Sequence, residues 1–107
     1  MSGRRNKQRG YELEAETRDF WVAAGFDCRR TLASGAYKQT LGDDHAGDLR
    51  LEDLTVEAKR KKTGFKFLYD AIAQDDADLL VVRQDRHPRV YILTEATLLA
   101  LMTKAYK

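Results

Sequence analysis

Between Gly47 and Lys59 the chain alternates apolar and polar residues at period two on both sides of Glu52-Asp53, and this pattern constrains the fold more than any other stretch. Leu49 and Leu51 precede the acidic pair; Leu54, Val56 and Ala58 follow it. Successive strand side chains point to opposite faces, so the segment reads as a half-buried β-hairpin. With the turn centred on Glu52-Asp53, Leu51 opposes Leu54, Arg50 opposes Thr55, Leu49 opposes Val56, and Asp48 opposes Glu57 on the face away from the leucines. Directly opposed side chains stand about 4.5–5.5 Å apart at Cβ, and like charges so placed destabilise a hairpin unless something positive lies between them. A divalent cation such as Mg²⁺, which binds through one or two carboxylates together with water and phosphate oxygens, satisfies such a pair. Lys59 points the same way. On these residues alone, an ordinary solvated hairpin face with Lys59 neutralising the acids accounts for the same pattern. An acid-x-Lys triplet is expected about once by chance at this composition, and Glu-Asp is not the Asn-Gly or Asp-Gly of the tightest hairpin turns.

At 107 residues the chain is long enough for a single modest core. We expect a basic N-terminal tail over residues 1–9 and one domain over residues 10–107. No apolar run approaches the roughly 20 residues of a membrane-spanning helix, and no secretory apolar segment follows the basic start, so a soluble protein without membrane contact is expected. Cys28 is the only cysteine. An internal disulfide is therefore excluded, a reducing, cytoplasmic compartment is implied, and Cys28 fits the role of a small buried hydrophobe. Net charge is only +2, but it is unevenly spread. Arg4, Arg5, Lys7 and Arg9 stand in an acid-free stretch, and Lys59, Arg60, Lys61, Lys62 and Lys66 form another. Acidic runs at 12–19 and 43–53 lie between them. A cationic surface around an anionic centre suits a phosphate backbone, although each basic block alone also fits a solvated tail or helix end.

The spacing Leu13, Thr17, Phe20, Trp21, Ala24 predicts a helix over 7–24, with Gly25 placed to cap it. A strand over 26–31 carries Arg29 and Arg30. Residues 32–47, rich in Gly, Ser and Asp, predict a long functional loop in which His45 is either a metal or proton ligand or an exposed side chain. After the hairpin, a helix over 65–77 directs Phe67, Leu68, Ala71 and Ile72 inward and leaves Tyr69 and Gln74 off that stripe. The run Leu79-Leu80-Val81-Val82 reads as a buried strand. A turn with Pro88, a strand over 90–93, and a Thr94-capped helix bearing Leu98, Leu99, Leu101 and Met102 complete the order α-β-β-β-α-β-β-α.

An acid on the second strand and Glu-x-Lys on the third, within this order, resemble the PD-(D/E)xK nuclease superfamily, and within it the archaeal and phage Holliday junction resolvases. That family opens with a basic residue and Gly, then a Glu four positions on; here these are Arg9-Gly10 and Glu14. It continues with a Gly-Phe turn, a basic residue ending strand one, and a Ser-Gly loop before an Asp. The chain offers Gly25-Phe26, Arg30, Ser34-Gly35 and Asp48, then Glu57-Ala58-Lys59. It departs from the family in the length of 36–47 and in having Gly47 where a proline is common.

The resemblance implies a restriction-endonuclease-like α/β fold: an αβββαβ core with a central mixed sheet flanked by helices, plus an extra C-terminal strand and helix. It implies a nuclease domain in which Asp48, Glu57, the Ala58 carbonyl and Glu14 hold Mg²⁺, or Mn²⁺ in its place, with Glu14, Asp48, Glu57 and Lys59 catalytic. Arg4, Arg5, Lys7, Arg9, Arg30, Ser34, Arg60, Lys61 and Lys62 then contact DNA. The implied activity is resolution of four-way junctions by paired symmetric nicks from a homodimer. Flaps, mismatched or linear duplexes are alternative substrates, and a non-catalytic nucleic-acid-binding module of the same fold is the alternative to an enzyme.

Overall fold

The computed structural model describes residues 2–31 and 48–107, and side chains from Gly10 onward within those ranges. Among them the order is α1 (Ser2–Ala23), β1 (Cys28–Arg30), β2 (Leu49–Leu51), β3 (Leu54–Val56), α2 (Lys66–Gln74), β4 (Leu79–Val82), β5 (Val90–Leu93) and α3 (Glu95–Tyr106). The mixed α/β class and the element order agree with the sequence. The chain forms two compact units, Met1–Arg60 and Lys61–Lys107. Instead of one mixed sheet, the strands make two antiparallel sheets, β1-β2-β3 and β4-β5. Every observed pairing joins strands consecutive in the chain, and both β2-β3 and β4-β5 close over short connections, which carry little loop-closure entropy.

In the first unit, α1 begins at Ser2 and not near Lys7, so the basic stretch expected as a tail forms its opening turns. Arg, Lys and Gln are good helix formers and no proline intervenes. The helix ends where expected. Gly25 adopts φ 93°; its amide donates to the Val22 carbonyl and the Phe26 amide to that of Trp21, each at 3.0 Å, the paired bonds of a Schellman cap. This turn brings Phe26 back onto Trp21, edge to face at 5.4 Å between ring centres.

The sheet register is Cys28↔Leu51↔Leu54, Arg29↔Arg50↔Thr55 and Arg30↔Leu49↔Val56. The three hairpin pairs expected inside the turn are therefore present. One face carries Cys28, Leu49 and Leu51, which with Trp21 and Phe26 are buried; the other carries Arg29, Arg50 and Thr55. Glu52 takes φ 54° at the first central turn position, a conformation unusual for a residue with a Cβ. Its place is explained by two bonds to Asp27: the Glu52 amide donates to the Asp27 carbonyl at 2.8 Å, and the Asp27 amide donates to Glu52 Oε2 at 2.8 Å.

In the second unit, β4 and β5 pair from Leu79↔Leu93 to Val82↔Val90. Thr94 caps α3, its hydroxyl accepting from the Thr97 amide at 3.2 Å, as the sequence indicated. Two details differ from expectation. Phe67 is exposed, and Leu79 and Val81 on β4 are exposed while Leu80 and Val82 are half-buried. A continuous apolar run fits a strand covered on either one face or both, so sequence alone does not distinguish the two. No helix among the described residues is long and apolar enough to cross a membrane.

Candidate active site

Arg30 shares the sheet face of Leu49 and Leu51, the face whose core α1 completes through Trp21. Its Nε donates to Glu14 Oε1 at 3.0 Å, and its guanidinium lies 4.1 Å from the centre of the Tyr11 ring. Tyr11 and Glu14 are three residues apart on α1 and so lie on one side of it. Glu14 is 8% exposed and is the buried charged residue among those described. A carboxylate taken out of water at this depth requires an ionised, hydrogen-bonded partner, and Arg30 provides it.

Asp48 is fixed through three groups. Its amide donates to the Val56 carbonyl at 2.8 Å, its carbonyl accepts from the Thr31 amide at 3.1 Å, and its Oδ2 accepts from the Ala58 amide at 3.0 Å. The regular ladder ends at Leu49↔Val56. Asp48 opposite Glu57, the fourth pair expected, is not part of it: Asp48 instead grips the chain on either side of Glu57, through Val56 and Ala58. Glu57 and Lys59 are exposed on the segment leaving β3, with Ala58 half-buried between them.

The ends of β1, β2 and β3 thus bring Arg30, Thr31, Asp48 and Ala58 together, and Arg30 draws in Glu14 from α1. Among the described residues no group of three or more His, Cys, Asp or Glu is placed to hold a metal. That arrangement does not suit an all-protein cage. A carboxylate has about four lone-pair sites, of which Asp48 commits one to the Ala58 amide, and Mg²⁺ keeps several waters and takes only one or two carboxylates. Asp48 and the Ala58 main chain stand together; Glu14 is engaged by Arg30.

The cations expected to grip DNA divide into groups. Arg60 is paired with Glu12 at 2.9 Å, and Arg30 with Glu14. Lys61 lies over the Phe65 ring at 5.6 Å, and Lys59 and Lys62 are exposed. Arg4, Arg5, Lys7 and Arg9 lie on the opening turns of α1. Ser34, His45 and the 36–47 loop fall outside the described residues. Sequence reasoning missed Tyr11 and Glu12, whose spacing from Glu14 and exposed face on α1 were the available signals, and it missed the arginines of the β4-β5 turn. Comparison with protein-family models, with curated proteins and with solved structures gives no match.

Proposed function

We propose that the protein is a Mg²⁺-dependent endodeoxyribonuclease that nicks branched DNA, with four-way junctions as substrate, and that it acts as a homodimer so that two sites cut symmetrically. The reading rests on the resemblance of Arg9-Gly10, Glu14, Arg30, Asp48 and Glu57-Ala58-Lys59 to junction resolvases of a restriction-endonuclease-like fold. One observation supports it most: the Asp48 carboxylate bonds the Ala58 amide at 3.0 Å, which puts the second-strand acid against the Glu-Ala-Lys segment.

In this reading Asp48, Glu57, the Ala58 carbonyl and Glu14 would hold Mg²⁺, which would acidify a water and stabilise phosphoryl charge. Lys59 would orient the attacking water or offset charge developing on the phosphorane. The Arg30 guanidinium holds the Glu14 carboxylate in place at the edge of the core, and Lys61 and Lys62 contact flanking phosphates. A DNA substrate and a single free cysteine suit a reducing, cytoplasmic setting.

A second reading, a non-catalytic DNA-binding module of the same fold, is favoured by the fact that Glu14 and Asp48 both already have intramolecular partners. Incubating a labelled four-way junction with and without Mg²⁺, beside flap, mismatched and linear duplexes, separates the readings. Paired nicks that need Mg²⁺ and vanish in Asp48→Ala, Glu57→Ala and Lys59→Ala are expected, with junction affinity kept within about tenfold because phosphate contacts dominate binding. Cleavage at wild-type rate by any of these variants would remove that residue from the site; binding without cleavage of any substrate would favour the second reading.

A further inference from the structure

The connection between β4 and β5, residues 83–89, carries Arg83, Arg86 and Arg89 at every third position, with His87 and Pro88 among them. The His87 amide donates to the Gln84 carbonyl at 3.0 Å, closing a four-residue turn whose third position is Arg86. Arg83 Nε donates to the His87 carbonyl at 2.9 Å, which holds its guanidinium against the turn and leaves its other N–H donors for something else. Arg83, His87, Pro88, Arg89 and Tyr91 line a cavity of about 390 Å³, and the Tyr91 side chain beside it is 56% exposed.

Charge partners set this turn apart. In the first unit Arg18, Arg29, Arg30 and Arg60 are each paired with a carboxylate, and Arg50 donates to Thr55 Oγ1 at 2.6 Å. Among the described residues, Arg83, Arg86 and Arg89 pair with no carboxylate, although Asp85 lies in the same turn. Gathered like charges repel one another, and a bound polyanion relieves that repulsion. A guanidinium presents planar, paired donors that match phosphate oxygens, and an exposed aromatic ring next to them offers a stacking face for a base.

We infer that residues 83–91 form a phosphate-binding surface for a nucleic-acid backbone. The choice of nucleic acid over other phosphate carriers rests on the proposed action on DNA. Among the described residues its arginines have no carboxylate partner, whereas Arg30 and Arg60 are engaged by Glu14 and Glu12.

The test is fluorescence anisotropy with labelled duplex and four-way junction in EDTA, from 50 to 200 mM KCl, so that cleavage does not enter. Each phosphate contact contributes about 0.9 to the slope of log K against log salt on duplex DNA. Arg83→Gln/Arg86→Gln/Arg89→Gln should therefore flatten the slope by about 2.7, shrinking the affinity loss over that fourfold salt range by about 40-fold. The Arg86→Gln/Arg89→Gln variant leaves the Arg83–His87 bond in place and should flatten it by about 1.8; thermal melting checks that both variants fold. Slopes equal to wild type in both would overturn the proposal. So would binding to phosphatidylserine vesicles that the triple variant loses while its DNA slope stays unchanged, because the turn would then serve lipid headgroups. Failure to cleave DNA in Mg²⁺, with the slope change intact, would count against the nuclease and leave this surface standing; cleavage with no slope change would do the reverse.

Discussion

At the scale of single residues, Glu14 and Cys28 have environments with measurable consequences. Glu14 and Arg30 form a pair whose side chains are 11% and 27% exposed, and removing one member of a pair this sheltered leaves a charge without its partner. Glu14→Ala should cost about 2–3 kcal/mol in urea unfolding, discounted from the fully buried case because Arg30 keeps access to water. Glu14→Gln, which retains an acceptor for Arg30 Nε, should cost about half as much yet still lose Mg²⁺-dependent cleavage if Glu14 serves the metal. Unfolding and cleavage measured on both variants separate the structural role from the functional one. Burial holds the Cys28 thiol above its ordinary value of 9.0, with the neighbouring Asp27 carboxylate adding to the rise and Arg18 opposing it. The folded state thus keeps this proton more tightly than the unfolded chain does. The stability it contributes is complete below the ordinary value and falls as pH climbs through the raised one. Between about pH 8 and 10, wild type should lose stability faster than Cys28→Ala, and native Cys28 should react with iodoacetamide much more slowly than in urea. Matching slopes in the two proteins would contradict this.

At the scale of elements, α1 shows where local sequence and tertiary demands agree. Its stripe and its Gly25 cap were legible because helical spacing and a C-terminal glycine follow from backbone geometry. Its true start was not, because a basic stretch suits a helix and a solvated tail equally. Gly10 lies inside this helix, and a Cβ built there meets nothing within 4 Å. Gly10→Ala should therefore raise stability by about 0.5–1 kcal/mol, by lowering the entropy of the unfolded chain. If Gly10 matters for close approach of a DNA backbone, the same variant should fold better and cut more slowly, which melting and nicking assays on one preparation resolve. The hairpin was legible for a related reason: its period of two fixes which residues face the core, so the pairs from Leu51↔Leu54 to Leu49↔Val56 followed directly. Beyond Leu49 pattern no longer governs. Asp48 is placed by specific bonds to Val56, Thr31 and Ala58, and no periodicity announces those. Nor does it announce that Glu52 is held at positive φ by Asp27. Glu52→Ala keeps the strained conformation and loses the carboxylate acceptor, so it should cost about 1 kcal/mol.

At the scale of the whole molecule, the two units differ in what holds them together. Trp21, Phe26, Cys28, Leu49 and Leu51 are buried in the first unit, whereas Met102 is the buried apolar residue of the second, and α2 has none. Element order was legible along the whole chain because caps, turns and periodicity are local. The division into two antiparallel sheets was not, because whether consecutive hairpins go on to join into one sheet leaves no local mark in the sequence. Local opening free energy follows buried apolar contact, so amides of β2 should exchange with solvent more slowly than those of β4, β5 and α2. This contrast makes the candidate site testable without DNA. A ligand that binds only the folded state stabilises it by about 2.7 kcal/mol at a hundredfold excess over its Kd. Mg²⁺ or Mn²⁺ held by Asp48 and the Ala58 main chain should therefore slow exchange at Thr31, Asp48 and Ala58, whose amides bracket the site, and leave β4 and β5 nearly unchanged. In Asp48→Asn the side-chain oxygen still accepts from the Ala58 amide, so the fold is kept while the ligand charge is lost and the metal-induced protection should disappear. Equal protection in both proteins would mean that Asp48 is no ligand. Equal protection across both units would mean that the cation acts through general screening, and the reading of the β2-β3 hairpin as a metal centre would fail.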